Sequence, residues 1–127
     1  MANVIQITPF MHVQDLEAAL RFVAMLGFET RHRVGGEYAY VEREGAGLRI
    51  MAYADAHVFE GGRDRFAYYL DVRDVDALHA ELAPKLAALP AEDVHGPADK
   101  PYGQRELLIR APDGQLFVFG QAIGRQG

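Results

Sequence analysis

The chain contains no cysteine, no tryptophan and no serine. Without cysteine there can be no disulfide, no thiolate nucleophile and no cysteine-ligated zinc or iron–sulfur site. Without serine there is no Gly-x-Ser-x-Gly elbow, and no glycine loop of the phosphate-cradling kind is present either. Positive charge is the scarcer sign: thirteen Lys and Arg stand against eighteen Asp and Glu, a formal charge of −5. Binding to a phosphate backbone needs clustered cations, so no nucleic-acid partner is expected, whereas a cationic small molecule is favoured. The densest basic stretch, Arg31-His32-Arg33, reads as a solvated strand face. No uncharged apolar run approaches ~20 residues, and MANVIQITPF lacks a basic region followed by an apolar one. No membrane partner is expected, and the default location is the cytoplasm.

What is present is a repeat. VQDLEAAL at Val13–Leu20 returns as VRDVDALH at Val72–His79, so V-x-D-[LV]-[ED]-A occurs twice. The 127 residues, half of them hydrophobic, suit one domain that buries roughly two thirds of its unfolded surface. The repeat divides that domain, 1–127, into two modules, 4–53 and 66–121, joined by the Gly-rich linker 54–65.

In the first module the alternation of Ile5, Ile7, Met11 and Val13 with polar neighbours predicts a strand over Val4–Val13. Asp15 fits a helix N-cap, Leu16, Leu20 and Val23 follow at helical spacing, and Gly27 suits a left-handed stop. Phe28–Val34, Tyr38–Arg43 and Leu48–Tyr53 read as strands. The second module restarts with a strand at Phe66–Val72 and an N-cap at Asp74. A helix lined by Val75, Leu78, Leu82, Leu86 and Leu89 follows. Arg105–Arg110 and Leu116–Gln121 are the last strands, joined by the turn Ala111-Pro112-Asp113-Gly114. Ala91–Gly103 holds two prolines and no clear alternation, so its strand is expected to be short. The fold class is α+β: two βαβββ modules forming a curved, incompletely closed mixed sheet, helices outside and a concave face within.

Side chains alternate across a strand, which assigns the faces. Ile5, Ile7, Met11 and Val13 should pack on the first helix, leaving Thr8, Phe10 and His12 inward. An offset of 59 residues gives Ala67, Tyr69 and Asp71 as their counterparts. Ala39 and Val41 suit the helix side, which turns Tyr38, Tyr40 and Glu42 inward. Glu106 and Leu108 face in, with Tyr102 at the mouth of the same strand. The candidate ligand-binding residues are therefore Phe10, His12, Tyr38, Tyr69, Asp71, Tyr102 and Glu106: aromatic surfaces with a few acids.

The duplicated modules and the stretch PYGQRELLIRAPDGQLFVFG resemble the vicinal oxygen chelate superfamily of glyoxalases, bleomycin resistance proteins and dioxygenases. Within it the likeness is to bleomycin resistance proteins, which share an aromatic-Gly-(x)-Arg-Glu stretch and a Pro-x-Gly turn. These are here Tyr102 to Glu106 and Pro112-Asp113-Gly114. The usual tryptophan is Tyr102, and the usual aspartate before the turn proline is Ala111. The resemblance implies that catalytic relatives hold a divalent metal at the positions of Thr8, Met51, Ala67 and Val118. None of these is a metal-ligand residue, so no metal and no cofactor is expected. Asp55, His57, Glu60 and Asp64 lie in a glycine-rich loop with no element to fix a metal geometry.

The expected function is a non-catalytic binding protein, not an enzyme. It would sequester a partly aromatic, cationic small molecule by stacking on Phe10, Tyr38, Tyr69 and Tyr102, with Glu106 and Asp71 holding the positive charge. The resemblance also implies a homodimer. The alternative is a metal-independent enzyme with His12 as general base, oriented by Asp71.

Overall fold

Both aspartates of the repeated motif cap a helix in the computed structural model, which describes residues 2–53 and 66–124. Asp15 accepts from the backbone N–H groups of Glu17 at 2.9 Å and Ala18 at 3.3 Å, opening helix α1, Leu16–Met25. Asp74 accepts from Ala77 at 3.0 Å, opening α2, Val75–Leu86. The first turn of any helix leaves amides without intrahelical partners, and each copy of the motif supplies one carboxylate for them. Each module needs one such helix, so the motif appears twice.

Helix α1 buries Leu16, Ala19, Phe22 and Val23, spaced three and four apart. It stops at Gly27, whose φ of +90° is the left-handed conformation expected there. A Cβ at Gly27 would come within 2.5 Å of Arg43 Nη1, which donates to the Leu26 carbonyl at 2.8 Å. Helix α2 buries Val75, Leu78, Leu82 and Leu86. Leu89, expected on its lining, instead lies in the tight turn after it, where its amide donates to the Leu86 carbonyl.

The first module adds strands β1 (Phe10–Val13), β2 (Glu29–Val34), β3 (Tyr38–Arg43) and β4 (Ala46–Ala52), ordered β1-β4-β3-β2. The second adds β5 (Ala67–Asp71), β6 (Val94–Lys100), β7 (Gln104–Arg110) and β8 (Leu116–Ala122), ordered β5-β8-β7-β6. In each sheet the strand before the helix pairs in parallel with the last strand, and the other ladders are antiparallel. The result is α+β with two four-stranded mixed sheets, neither closed into a barrel. The chain divides into two units, Met1–Glu60 and Gly61–Gly127. The linker 54–65 lies outside the described residues.

In the first sheet Met11, Val13, Ala39, Val41, Leu48 and Ile50 are buried, and α1 packs on this sheet. In the second, Leu107, Ile109, Phe117 and Phe119 are buried. The opposite face of the first sheet carries Phe10, His12, Tyr38, Tyr40 and Arg49, and that of the second Tyr69, Asp71, Glu106 and Val118.

Two expectations need correction. Strand β1 begins at Phe10, not Val4, and Val4, Ile5 and Ile7 are 84%, 93% and 93% exposed rather than packed on α1. The physical reason is Pro9: its carbonyl still accepts from Arg49, but it has no N–H to carry the ladder further. The strand in Ala91–Gly103 is not short. Strand β6 runs seven residues, because a bulge between His95 and Ala98 sets Gly96 and Pro97 outside the ladder, and an edge strand tolerates both.

Candidate functional site

The second sheet gathers three of the expected site residues around one carboxylate. Across strands β5, β8 and β7 the register places Asp71, Gly120 and Glu106 in one row. Tyr69, two residues before Asp71, lies diagonally over Gly120: a Cβ there would fall 1.9 Å from its hydroxyl oxygen and 2.4 Å from Cζ. Only a bare backbone at position 120 leaves room for the phenol. The ring thereby delivers its hydroxyl to Glu106 Oε2 at 2.9 Å. Tyr102, from the turn before β7, donates to Oε1 of the same carboxylate at 2.6 Å.

Glu106 is only 5% exposed, while Tyr69 and Tyr102 remain 46% and 62% exposed. The neighbouring Arg105 points to the other face and pairs with Asp99 at 2.9 Å and Asp76 at 3.1 Å. Among the described residues Glu106 therefore has two phenols and no cation. A buried carboxylate without a counter-ion is costly unless hydrogen-bonded. Here two charge-assisted bonds meet that need and fix both rings in place.

Both phenols hold their protons above the ordinary value. Burial of the Tyr69 hydroxyl, then its hydrogen bond to Glu106 and the negative charges of Glu106 and Asp71, raise its pKa. For Tyr102 the hydrogen bond to Glu106 comes first, followed by desolvation. On the opposite face Tyr68, its ring 5.2 Å from that of Phe117, is pushed up to about 12 by burial. Groups raised in the folded state stabilise it below the unfolded pKa of about 10 and lose that contribution as pH climbs through the folded value. We therefore expect stability to decline above about pH 10. A phenolate-absorbance titration should show Tyr68, Tyr69 and Tyr102 ionising late. Glu106→Gln should bring both Tyr69 and Tyr102 down; an unchanged titration curve would contradict the arrangement.

The first sheet carries the other expected residues. Phe10 and His12 stand on β1 with ring centroids 6.2 Å apart, and His12 meets the edge of Tyr53 at 4.9 Å. Tyr38 on β3 accepts from Arg49 Nη1 at 2.6 Å. Tyr40 repeats the device of Tyr69: a Cβ at Gly47 would lie 2.2 Å from its hydroxyl, which donates to Glu42 at 3.4 Å. Gly47, Gly120 and Arg49 were not among the sequence candidates. For Arg49 a signal existed, since burial of Leu48 and Ile50 on alternate positions turns it to the open face with Met51. The two glycines carry no such signal, because the ring each one admits comes from another strand.

The residues do not fit a divalent metal at the positions used by catalytic relatives. Pairing of Phe10 with Arg49 and of Tyr69 with Val118 makes Arg49, not Met51, the counterpart of Val118. Thr8, Arg49, Ala67 and Val118 offer neither imidazole nor carboxylate. Among the described residues no group of three or more His, Asp or Glu could hold a metal ion. His57, Glu60, Asp55 and Asp64 lie outside the described residues.

The profile of the glyoxalase/bleomycin resistance protein/dioxygenase superfamily matches residues 6–119. Among solved structures the chain resembles a bleomycin-binding protein from the bleomycin-producing Streptomyces verticillus, complexed with copper(II)-bleomycin. That likeness has a TM-score of 0.75 at 26% identity, covering 98% of this chain and 100% of that one. A bleomycin resistance determinant encoded on the transposon Tn5 gives 0.76 at 19% identity, covering 94% and 98%. A glyoxalase-related enzyme from Clostridium phytofermentans gives 0.70 at 19%, covering 96% and 98%. The last two likenesses concern the fold alone. Among curated proteins none matches in sequence.

Proposed function

Since the chain belongs to the glyoxalase/bleomycin resistance protein/dioxygenase superfamily, we propose that it is a non-catalytic binding protein for a partly aromatic, cationic small molecule. The observation that carries this reading is Glu106: a buried carboxylate with no cation among the described residues, behind two exposed phenol rings that it orients. Accepting from both hydroxyls, the carboxylate leaves the rings electron-rich and adds a negative potential behind them. A flat cation stacking on Tyr69 or Tyr102 gains apolar contact, cation–π attraction and that potential together. Asp71, exposed beside Gly120, adds a second negative charge. Glu106 thus acts through the phenols rather than as a direct contact. Sequestration requires no bond-making, and the absence of fitting metal ligands at Thr8, Arg49, Ala67 and Val118 agrees with it.

A thermal-shift screen of bleomycin-type glycopeptides, planar cationic drugs and neutral aromatic metabolites tests the reading. A ligand at ~100 times its dissociation constant adds roughly 2.7 kcal/mol to stability. Cationic aromatics should raise the melting temperature more than neutral ones of the same shape. Stabilisation confined to neutral metabolites would overturn the reading.

The same proposal includes a homodimer. Val4, Ile5 and Ile7 expose their side chains almost fully, and β1, β2, β5 and β6 are edge strands. An exposed apolar segment beside open edges is what a symmetric partner covers. Light scattering should return about twice 14.1 kDa. A monomer at micromolar concentration would contradict this.

A further inference from the structure

The geometry points to a second binding position, on the open face of the first sheet, where Arg49 takes the carboxylate of an aromatic acid. This inference does not rest on the cation reading of the second sheet. Strand β4 is interior to its sheet, and the register sets Phe10, Arg49 and Tyr40 in one row across β1, β4 and β3, with Met51 and Tyr38 in the next row. Leu48 and Ile50 are buried on the helix side, so Arg49 stands on the opposite face, exposed.

Two tyrosines hold its guanidinium. The Arg49 Cζ lies 5.6 Å from the Tyr40 ring centroid, and Nη1 donates to the Tyr38 hydroxyl at 2.6 Å. The remaining donors of the planar fork find no carboxylate among the described residues. The acid that β3 sets on this face, Glu42, is engaged elsewhere: it accepts from the Tyr40 hydroxyl and lies 3.9 Å from Arg31 Nε. Arg49 is thus a cation held among aromatic rings, with no counter-ion among the described residues.

The chemistry selects the ligand. A guanidinium fork matches a carboxylate in two parallel hydrogen bonds. Tyr38, by accepting from a cation, becomes a stronger hydroxyl donor toward the same oxyanion. Phe10, half exposed in the same row, offers an apolar surface for a ring attached to that carboxylate. An arylcarboxylate uses all of these groups, and a neutral amide of the same shape does not.

Benzoate and benzamide are the probes, titrated into the full-length protein and followed through the aromatic NMR signals of Phe10, Tyr38 and Tyr40. Benzoate should shift these signals saturably, and benzamide should bind at least tenfold more weakly. In Arg49→Gln the benzoate dissociation constant should rise about tenfold or more, the scale of one lost charge-assisted hydrogen bond. Arg49→Lys should recover part of the affinity, keeping the charge without the fork. Arg49 is exposed, so both variants should fold, which circular dichroism checks. Benzoate affinity unchanged in Arg49→Gln overturns the inference. So does benzamide binding as tightly as benzoate, or a benzoate response confined to residues outside this face.

Discussion

Tyr69→Ala and Tyr102→Ala should each weaken binding of the cationic aromatic identified by thermal shift by roughly 1–3 kcal/mol, the range for losing an aromatic anchor. The two substitutions remove different things. Tyr102 comes from a turn and is the more exposed ring; its loss should cost affinity and, by taking one hydrogen bond from the buried Glu106, some fold stability. Tyr69 is wedged over Gly120, and its loss also strips one hydrogen bond from a buried carboxylate. Stability should therefore fall as well. Conversely, Tyr102→Phe keeps the platform but frees one oxygen of Glu106, and should sit between parent and alanine variant in affinity. Calorimetric titration beside urea denaturation separates the two effects. Parent-like affinity in both folded alanine variants would remove the platform from the second sheet.

Gly120→Val should destabilise the protein by roughly 2–4 kcal/mol, although it replaces a buried glycine with a residue well suited to strands. A Cβ at position 120 meets the Tyr69 hydroxyl at 1.9 Å and Cε1 at 2.6 Å, so the phenol must leave. Overpacking of this kind costs typically 1–3 kcal/mol, and a buried acceptor that loses its partner costs about as much again. The three nearest atoms all belong to Tyr69 rather than to backbone. Gly120→Val combined with Tyr69→Ala should accordingly be less destabilised than the sum of the single changes. Additive losses in that cycle would mean that the glycine serves the backbone and not the ring.

The repeated V-x-D motif made the architecture readable from sequence, because an N-cap aspartate after a strand has one local job and performs it twice. Faces were readable for the same reason: a period of two ties Tyr69, Asp71 and Glu106 to one side once Leu107 and Ile109 are assigned to the core. Two errors came from applying that period without the ladder. Ile5 and Ile7 alternate well, yet Pro9 withholds the amide that would have continued β1. The prolines of Ala91–Gly103 hid a seven-residue strand, since a bulge lets an edge strand keep pairing on both sides of Gly96-Pro97. Within the site, the residue types were legible but their connection was not. Glu106 was expected to hold a ligand's positive charge, and its partnership with two phenols was not read: the hydroxyls of Tyr69 and Tyr102 take its oxygens while Arg105 is drawn to Asp76 and Asp99.

The most direct test of that carboxylate is a calorimetric comparison of two ligands of one shape, a planar cationic aromatic and its neutral isostere, against parent and Glu106→Gln. If the buried charge behind Tyr69 and Tyr102 selects cations, the parent should prefer the cation by about tenfold or more. Glu106→Gln should lose most of that preference while binding the neutral ligand nearly as before. Equal affinity of the parent for both ligands, or a preference that survives Glu106→Gln intact, would contradict it.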